Sequence, residues 1–322
     1  MPLAVLVGGS GFVGRYAAQQ LARAGWRVRV AVRRPNEALQ MRTYGDVGQV
    51  EPVQANIRDD ASIARAVAGA DVVVNLVGVL FETGRQTFKA VQADGAERVA
   101  RLAKEAGVPR LIHVSAIGAD AESRSAYART KAEGEAGVRK HYPNVVILRP
   151  SIIFGPEDQF FNRFAAMARI SPVIPVVGAG TRFQPVFVED VARAILAAAS
   201  DPETDGGVFE LGGPAVYTFD ELMQVMLGVI HRRRFTLPVP FFIAGVKAFF
   251  LDLIPYLSFG LVPNSILTRD QVRLLAKDNV VGDAVGTFAD LGVSPTTIEA
   301  VIPSYLYRYR PYGQYDDVIA KG

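Results

Sequence analysis

A glycine-rich turn close to the start of the chain constrains the fold more than any other stretch. Gly8, Gly11 and Gly14 follow a G-x-x-G-x-x-G spacing between an apolar run at residues 3–7 and a helical pattern at residues 15–24. Glycine lets a backbone turn tightly and approach a phosphate, and the free N–H groups of the next helix attract an anion. This order predicts a site for the pyrophosphate of a dinucleotide, although such a turn can also serve packing alone. The predicted contacts are Gly8, Ser10, Gly11, Phe12, Val13 and Gly14.

Strand and helix patterns then alternate along the chain. The next apolar strand patterns are separated by helical ones and lie at residues 26–32, 50–55, 71–76, 111–115 and 145–148. A long helix over residues 88–106 is expected to stop at Gly107 and Pro109. This alternation predicts the α/β fold class, with a Rossmann-type doubly wound parallel sheet and right-handed crossovers.

The later part of the chain predicts a second, smaller domain. Residues 159–169 have a helical pattern, residues 172–180 are rich in proline and glycine and predict a loop, and residues 208–211 predict a last strand. Thr218 is expected to cap a helix over 219–230. We therefore predict a Rossmann-type dinucleotide-binding domain over 1–212, which includes part of a substrate-side lobe at about 151–183. Residues 213–322 are predicted to form a smaller, α-rich C-terminal domain that faces a membrane or a partner.

Composition argues against several classes of protein. The 322 residues contain no cysteine and only three scattered histidines, so we expect neither disulfides nor a metal site. A net charge of +3 is too small to indicate nucleic-acid binding. The first strand pattern begins at Leu3, and no run of about 18 uncharged apolar residues occurs, so we expect neither a leader peptide nor a membrane-spanning helix. The expected location is cytosolic or peripheral to a membrane.

Two arginines follow the second predicted strand, about 20 residues after the glycine turn, where NAD sites usually carry an acidic residue against the ribose 2′-hydroxyl. Arg33 and Arg34 can instead pair with a 2′-phosphate. The position favours NADP(H) over NAD(H), unless both arginines are simply solvated. Further cofactor contacts are predicted near the carboxyl ends of later strands. These are Asn56, Ile57, Leu76, Val77, Gly78, Ser115, Pro150 and Ile153.

A tyrosine and a lysine share one face of the helix predicted over residues 125–141. Tyr127 and Lys131 are four residues apart, so the ammonium group can lower the pKa of the phenol and also hold the nicotinamide ribose. A phenol with a lowered pKa is a usable general acid. Ser115 supplies a hydroxyl at the end of the fifth predicted strand. Tyr127, Lys131 and Ser115 are therefore the candidate catalytic residues, and all three are predicted to contact the cofactor.

Five motifs together resemble the short-chain dehydrogenase/reductase superfamily in its extended or atypical branch. They are GGSGFVG, the NLVG after the fourth predicted strand, YARTK, RPSIIFG and QPVFVEDVA, and they cover residues 1 to about 212. The resemblance implies that Tyr127 is the acid/base, that Lys131 is its ribose and pKa partner, and that Ser115 orients a substrate. Extended members usually carry two or three hydroxyl residues there, whereas Ala116 and Ile117 follow Ser115. That departure puts catalysis in doubt and leaves cofactor binding unaffected.

Over nearly its whole length, the chain is similar to the family of NADPH-binding accessory subunits of respiratory complex I and their bacterial relatives. The segments concerned are GGSGFVGRYAAQQLARAG, YARTKAEGEAGVR, RPSIIFGPEDQFFNRFA, LTRDQVRLLAKDNVV and YLYRYRPYGQY. The resemblance implies structural NADPH and partner subunits of complex I where its peripheral and membrane arms meet. It also implies a peripheral location on the cytoplasmic face of a bacterial inner membrane or the mitochondrial matrix face. The alternative is a free-standing NADP-dependent reductase, epimerase or dehydratase that uses Tyr127 and Lys131.

The most apolar stretch comprises residues 235–262. Pro238, Pro240 and Pro255 are expected to confine any helix in it to about residues 241–254. Such a helix rises only about 21 Å, less than a hydrocarbon core of about 30 Å. Together with the basic cluster at residues 231–234, its apolar arc predicts contact with the surface lipids of a membrane, or else packing as core. The arc comprises Phe242, Ile243, Val246, Phe249, Phe250, Leu253 and Ile254.

Overall fold

A computed structural model describes residues 1–257, 268–283 and 285–316 of the chain. The strands in these residues are β1 (Leu3–Val7), β2 (Arg27–Val32), β3 (Val50–Gln54), β4 (Val72–Asn75), β5 (Arg110–Val114), β6 (Val146–Pro150), β7 (Ile153–Phe154), β8 (Val173–Val177), β9 (Arg182–Phe183), β10 (Val186–Phe187), β11 (Val208–Leu211), β12 (Tyr217–Thr218) and β13 (Phe235–Val239). The α-helices are α1 (Phe12–Arg23), α2 (Asp60–Val67), α3 (Asp94–Glu105), α4 (Ala126–His141), α5 (Phe161–Ile170), α6 (Val188–Ser200), α7 (Phe219–Val229), α8 (Phe241–Leu257), α9 (Arg269–Leu274), α10 (Ile298–Val301) and α11 (Pro303–Leu306).

Seven parallel strands form the main sheet, in the order β11-β6-β5-β4-β1-β2-β3. The order reverses between β1 and β4, so the connections leave the sheet in opposite directions on either side of that pair. A crevice opens at such a switch point, beyond the carboxyl ends of the strands, and ligands bind there. The predicted doubly wound parallel sheet is confirmed.

Helices cover both faces of the sheet and bury its apolar strands. Ala17, Leu21 and Ile195 of α1 and α6 pack on one face, and Ile63, Val99 and Val138 of α2, α3 and α4 pack on the other. β4 reads Val-Val-Val-Asn and is buried throughout, as expected of a strand covered on both faces. A π-helical turn, Lys89–Ala93, leads directly into α3 within the single helix predicted over 88–106.

A second apolar core joins segments that lie far apart in the sequence. Phe161 and Ala165 of α5 pack with Phe219 and Met223 of α7, and Tyr305 of α11 closes the cluster. Residues on both sides of position 212 contribute to this core. The division of the chain at residue 212 stays a prediction.

The predicted loop over residues 172–180 is wrong, because part of it is a strand. β8 pairs in parallel with β13, so that Val173 lies opposite Phe235 and Val177 opposite Val239. Pro175 belongs to β8 and has no N–H to donate, which is tolerated at the edge of a two-stranded sheet. Local composition indicated a loop because the partner strand comes much later in the sequence.

The helix predicted over 241–254 runs further than expected, since α8 includes Pro255 and ends at Leu257. Proline removes one hydrogen bond of the helix, and here that loss falls in the last turn. Seventeen residues still rise only about 25 Å. In the part of the chain that the structure describes, no helix combines the length and apolarity needed to cross a membrane. Residues 258–262 of the predicted segment, and the side chains of Leu253 and Ile254, lie outside the described residues.

Candidate nucleotide site

The glycine turn is so tightly packed that side chains cannot replace two of its glycines. A Cβ atom on Gly14 would lie 2.4 Å from the carbonyl oxygen of Gly9, and one on Gly8 would lie 2.8 Å from Val77 Cγ2. Gly8 also has a φ of +82°, a conformation that favours glycine. The close approach of Gly8 to Val77 joins the end of β1 to the end of β4, at the switch point of the sheet.

The helix that follows the turn presents its N-terminus to the same crevice. Gly11 is the N-cap of α1, and no side chain caps the helix there. The first N–H groups of such a helix are available to an anion, and the helix dipole adds a partial positive charge. Ser10, Phe12 and Val13 lie in or next to this turn, as the predicted pyrophosphate contacts require.

Lys131 reaches from α4 into the crevice. Its Nζ donates to the carbonyl oxygen of Val114 at 3.3 Å and lies 3.3 Å from the position that a Cβ on Gly78 would take. The side chain is buried, and this burial lowers the pKa of Lys131 from 10.5 to about 8, while nearby Glu135 acts in the opposite direction. A buried ammonium group with one long hydrogen bond has capacity left for hydroxyl groups of a ligand.

Tyr127 lies one helical turn before Lys131 on the same face of α4. Its ring packs edge-on against Phe88, with ring centroids 5.8 Å apart, and the Nζ of Lys131 lies 6.0 Å from its centroid. The sequence predicted a lowered pKa for this phenol. Burial instead raises the pKa of Tyr127 to about 12, because desolvation disfavours the charged phenolate.

Ser115 follows β5 and is almost fully buried, with 4% of its surface exposed. Its N–H donates to the carbonyl oxygen of Leu148, but its Oγ has no hydrogen-bond partner among the described residues. A buried hydroxyl without a partner costs free energy, so this orphaned oxygen is best explained by a ligand or water that pairs with it.

The two predicted 2′-phosphate residues differ in their surroundings. Arg34 forms an exposed ion pair with Glu37 at 2.9 Å, whereas Arg33 is exposed at the end of β2 with no ion pair in the described chain. Arg33 is therefore the residue with the more available guanidinium group, and an arginine at this position suits a phosphate.

The other predicted contacts lie near carboxyl ends of strands, at the same edge of the sheet. Not all of their side chains are available to a ligand in the crevice. Asn56 uses its side-chain oxygen to accept from the N–H of Arg58. Ile57 is buried against Gly95 of α3, so its side chain belongs to the core. Leu76 donates its N–H to Val7, which extends the ladder between β4 and β1. The adenine-side contacts therefore stay a prediction.

The remaining two predicted contacts lie on the far side of the switch point. Pro150 ends β6, and its carbonyl oxygen accepts the N–H of Ile117. Ile153 is half-buried in β7, opposite Val186 of β10. Both lie beside the loop that follows Ser115, on the side of the crevice where a nicotinamide ring would be expected.

One residue of the site was missed by the sequence analysis. The carboxylate of Asp270 accepts from the N–H of Ala126 at 2.7 Å, from the N–H of Tyr127 at 3.2 Å and from the hydroxyl of Ser125 at 2.8 Å. It therefore caps α4 from α9, and a negative charge at a helix N-terminus is stabilising. No local sequence signal reveals such a cap, since 144 residues separate Asp270 from Ala126.

These features fit a nicotinamide dinucleotide. The glycine turn and uncapped helix suit the pyrophosphate, and Lys131 and the orphaned hydroxyl of Ser115 lie where the nicotinamide ribose would bind. When bound, such a cofactor supplies hydride chemistry, while Lys131 and Tyr127 would bind and orient its ribose. Among the described residues, no group of three or more histidine, aspartate or glutamate side chains is arranged to hold a metal ion.

The chain belongs to the NAD dependent epimerase/dehydratase family, whose model matches residues 4–212. It is also 36% identical, over 97% of its length and 79% of the relative's, to NADH dehydrogenase [ubiquinone] 1 alpha subcomplex subunit 9, mitochondrial, of Arabidopsis thaliana. The protein of that name in Mus musculus is 36% identical over 96% of this chain and 81% of its own. These matches confirm both predicted resemblances, to the extended short-chain dehydrogenase/reductases and to the accessory subunits of complex I.

Two further comparisons bear on the fold and on catalysis. A ceramide reductase of Caulobacter vibrioides is 34% identical over 68% of this chain and 68% of its own. The solved structure of an NADPH-dependent quinone oxidoreductase from Escherichia coli, complexed with NADPH, superposes with a TM-score of 0.72. That match covers 95% of this chain and 99% of the other at 19% identity, and it shows the fold alone.

Proposed function

We propose that this protein is an NADP(H)-binding accessory subunit of a respiratory NADH:quinone oxidoreductase, in which the nucleotide is structural. The observation that carries the proposal is a glycine turn and a buried lysine suited to a dinucleotide, in the same chain as a large exposed apolar surface. The mitochondrial relatives named as subunits of such an enzyme support it, since the similarity runs from the glycine turn to the C-terminal lobe.

The chemistry of the crevice agrees with a nucleotide that is held and not turned over. A general acid works best with a pKa near the operating pH, and burial moves the pKa of Tyr127 away from that range. Lys131, with its pKa lowered towards neutrality, can still bind ribose hydroxyl groups. Ser115 offers one hydroxyl, with Ala116 and Ile117 in place of further hydroxyl residues.

The assembly is tested by isolating the tagged protein from its native membrane in mild detergent. We expect it to migrate with subunits of the NADH:quinone oxidoreductase and to carry bound NADP(H). Tyr127→Phe should leave both assembly and nucleotide retention nearly unchanged, because the glycine turn and Lys131 supply most of the binding. A free species that reduces a small carbonyl compound with NADPH, and loses this activity in Tyr127→Phe, would contradict the proposal.

That outcome would support the second candidate function, a free-standing NADP-dependent reductase. The intact pair of Tyr127 and Lys131 on one face of α4 favours it, as does the similarity to a ceramide reductase. The two functions differ in what they require of the crevice. A reductase needs an opening for its substrate beside Tyr127, whereas a structural nucleotide needs only to be enclosed.

The preference for NADP(H) over NAD(H) rests on Arg33. A charge-assisted bond between a guanidinium group and a phosphate contributes on the order of a few kcal/mol, so Arg33→Asp should weaken NADPH binding by roughly 100-fold. Arg34→Asp is the matched control, because Arg34 is already paired with Glu37, and it should weaken binding only about threefold. The measurement is titration with NADPH and with NADH. Equal affinities of the unmodified protein for the two would refute the preference.

Membrane contact is proposed through α8, because the side of this helix that faces water is its apolar side. Phe242, Val246 and Phe250 are 74%, 56% and 63% exposed, and Ile243 and Phe249 are also exposed. The buried side consists of Ala244 and Ala248, which pack against Val272 of α9. The large side chains of the described part of the predicted arc therefore do not pack as core.

The small sheet of β8 and β13 extends this apolar surface. Val173, Phe235 and Leu237 are exposed on it, next to α8. We define the docking surface as the exposed side chains of α8, β8 and β13. Large exposed apolar side chains of this kind mark a contact with a membrane or a protein, and the arginines at 232–234 favour anionic lipid. The location that follows is the cytoplasmic face of a bacterial inner membrane, or the equivalent matrix face.

Replacing Phe242, Phe249 and Phe250 together by serine tests the docking surface. Loss of about 1 kcal/mol for each half-exposed ring should weaken binding to protein-free lipid vesicles by roughly 100-fold. Folding and NADPH binding should be retained. Leu39→Ser with Val47→Ser, at exposed positions away from this surface, is the control and should bind as before. Binding of the unmodified protein only to membranes that contain the enzyme complex would assign the surface to a protein partner.

A further inference from the structure

A pocket of about 540 Å³ lies where α7 ends and the chain turns towards β13. It is lined by one side of α7 and by the basic segment that follows it. The lining residues are Gln224, Leu227, Gly228, His231, Arg232, Arg233 and Arg234. The nucleotide crevice does not share any of these residues, and the proposed membrane contact uses the arginines only for their charge.

An unusual turn at the end of α7 places the basic residues around the pocket. His231 has a φ of 52°, and it is the only residue other than glycine with a positive φ in the described chain. Its N–H donates to Gly228, and the N–H of Arg232 donates to Leu227, which is the Schellman pattern. Glycine is usual at this position, so histidine here is strained. The side chain of His231 is held by Asp316, whose pKa is lowered by this hydrogen bond.

Two of the arginines are fixed through their inner nitrogen atoms. Nε of Arg232 donates to the carbonyl oxygen of Tyr309 at 2.8 Å, and Nε of Arg234 donates to that of Ala168 at 2.8 Å. These bonds orient both guanidinium groups and leave most of their N–H groups unused. A guanidinium group fixed in this way is prepared for bidentate contact with a phosphate.

The positive charge around the pocket is only partly offset by carboxylates. Arg232, Arg233 and Arg234 form no ion pair within the described residues, and Asp316 is engaged by His231. Burial, Arg234 and Arg169 lower the pKa of Arg232, while Asp316 acts in the opposite direction. Like charges that converge with too few counter-charges repel each other, and a bound anion relieves this repulsion.

Two exposed apolar side chains follow arginines of this basic region, and they narrow the class of anion that would bind there. Ile170 follows Arg169 at the end of α5 and is 89% exposed, and Phe235 follows Arg234 and is 78% exposed. Phe235 begins the docking surface, opposite Val173 of β8. A soluble anion would gain nothing from these side chains, whereas an amphiphile with a phosphate head could also place its apolar part against them.

We infer that this pocket binds the phosphate of an anionic phospholipid whose acyl chains lie against Ile170, Phe235 and the docking surface. The inference rests on the proposed membrane contact, to which it adds a specific headgroup site. Arg232 and Arg234 would hold the phosphate, and Arg233 would contribute charge at the opening. Diffuse attraction between a basic surface and a membrane needs only charge, but this site also requires the fork geometry of arginine.

The test compares vesicles of neutral phosphatidylcholine with vesicles that also contain phosphatidylglycerol. Arg232→Gln with Arg234→Gln should weaken binding to the anionic vesicles by about 30-fold, at about 1 kcal/mol per arginine, and leave binding to neutral vesicles unchanged. Arg232→Lys with Arg234→Lys keeps the charge but loses the fork, and it should still cost about fivefold. Arg23→Gln with Arg65→Gln, at exposed positions elsewhere, is the charge-matched control and should have little effect.

The outcomes separate this inference from the proposal on which it rests. If both arginine variants bind anionic vesicles as the unmodified protein does while the triple phenylalanine variant does not, the pocket is refuted and membrane contact stands. If the lysine variant binds anionic vesicles as the unmodified protein does, and the glutamine variant loses no more affinity than the charge-matched control, the attraction is due to diffuse charge and the site is refuted. Tight binding of inorganic phosphate in the absence of lipid would overturn the lipid assignment. Thermal unfolding with and without NADPH checks that each variant is folded.

Discussion

Helices α4 and α8 depart from the usual distribution of polarity in opposite ways. α4 buries the charged side chains of Lys131 and Glu135, each at most 5% exposed, while α8 buries Ala244 and Ala248 and exposes phenylalanine. Glu135 is paired with Arg149 through two hydrogen bonds of 2.8 and 2.7 Å, so its burial is satisfied within the protein. Lys131 has one long hydrogen bond, and the apolar side of α8 has no cover among the described residues.

In both helices, the pattern of burial runs against the polarity of the side chains, and this mismatch points to a binding role. A buried ammonium group with few hydrogen bonds indicates a ligand. An exposed row of large apolar side chains indicates a surface that binds a membrane or another protein. The two helices are connected through α9. Val272 packs under α8, and Asp270 caps α4 beside Tyr127. The proposed membrane contact and the nucleotide crevice therefore share one structural element.

The largest effect on stability is expected at Glu135, the buried charge of α4 that is paired within the protein. Glu135→Gln should lower the free energy of unfolding by about 3 kcal/mol, because the amide oxygen can accept only one of the two hydrogen bonds and Arg149 keeps only the longer ion pair to Glu210. Glu133→Gln, two residues away on the exposed side, is the control and should change it by less than about 0.5 kcal/mol. Urea unfolding measures both. Equal effects would show that burial of this pair contributes nothing specific.

Lys131, the buried charge of α4 with one long hydrogen bond, should destabilise the nucleotide-free protein. Burial lowers the pKa of Lys131 from 10.5 to about 8, so the unfolded chain binds this proton more tightly than the folded protein. The stability of the nucleotide-free protein should therefore rise as the pH increases from about 8 to 10.5, by at most about 3 kcal/mol. Lys131→Met should be more stable than the unmodified protein at neutral pH and should lack this rise.

Urea unfolding of the nucleotide-free proteins across this pH range measures the effect. Addition of NADPH should stabilise the unmodified protein more than Lys131→Met, because the variant loses the ribose contact. Equal stabilisation of both proteins by NADPH would break the proposed link between the buried ammonium group and the ligand.

On α8, substitutions on the covered side are expected to affect stability more than those on the exposed side, although the covered residues are smaller. Ala248→Leu introduces three carbon atoms at a position with 0% exposure, against Val272. We expect a loss of about 2 kcal/mol through overpacking. Ala166→Leu, at an exposed position of α5, is the control and should be nearly neutral. A tolerated Ala248→Leu would mean that α8 packs loosely on α9.

The smallest effect on stability is expected at the most apolar positions of the same helix. Phe250→Ser should change the free energy of unfolding in solution by less than about 0.5 kcal/mol, since the ring is 63% exposed. Binding to lipid vesicles should nevertheless fall several-fold. Loss of folding in Phe250→Ser would show that the apolar side of α8 is covered by the protein itself.

Several elements of the molecule could be predicted because their signals are local. β1 has the predicted bounds, and Thr218 caps α7 in a capping box with Glu221. The glycine turn lies between a strand and a helix, as its spacing indicates. In these cases the residues that determine the local structure are close together in sequence, so a short segment is enough to predict it.

Errors arose where the decisive contact is distant in sequence. Residues 173–177 form a strand because β13 pairs with them, and β13 comes after two further α-helices, α6 and α7. The pKa of Tyr127 is raised because Phe88 and other neighbours bury it, which the spacing to Lys131 does not reveal. Asp270 belongs to the site through a cap that joins α9 to α4.

Local residue patterns specify the glycine turn and the apolar arc of α8. A Cβ on Gly8 would lie 2.8 Å from the side chain of Val77, and one on Gly14 would lie 2.4 Å from the backbone of Gly9, so both positions require glycine. Which side of α8 is covered depends instead on its packing against α9 in the folded protein. Periodicity divides a helix into two sides but does not say which one meets the protein. Here the small side chains of Ala244 and Ala248 allow α9 to approach, and the large apolar side chains are left facing outward.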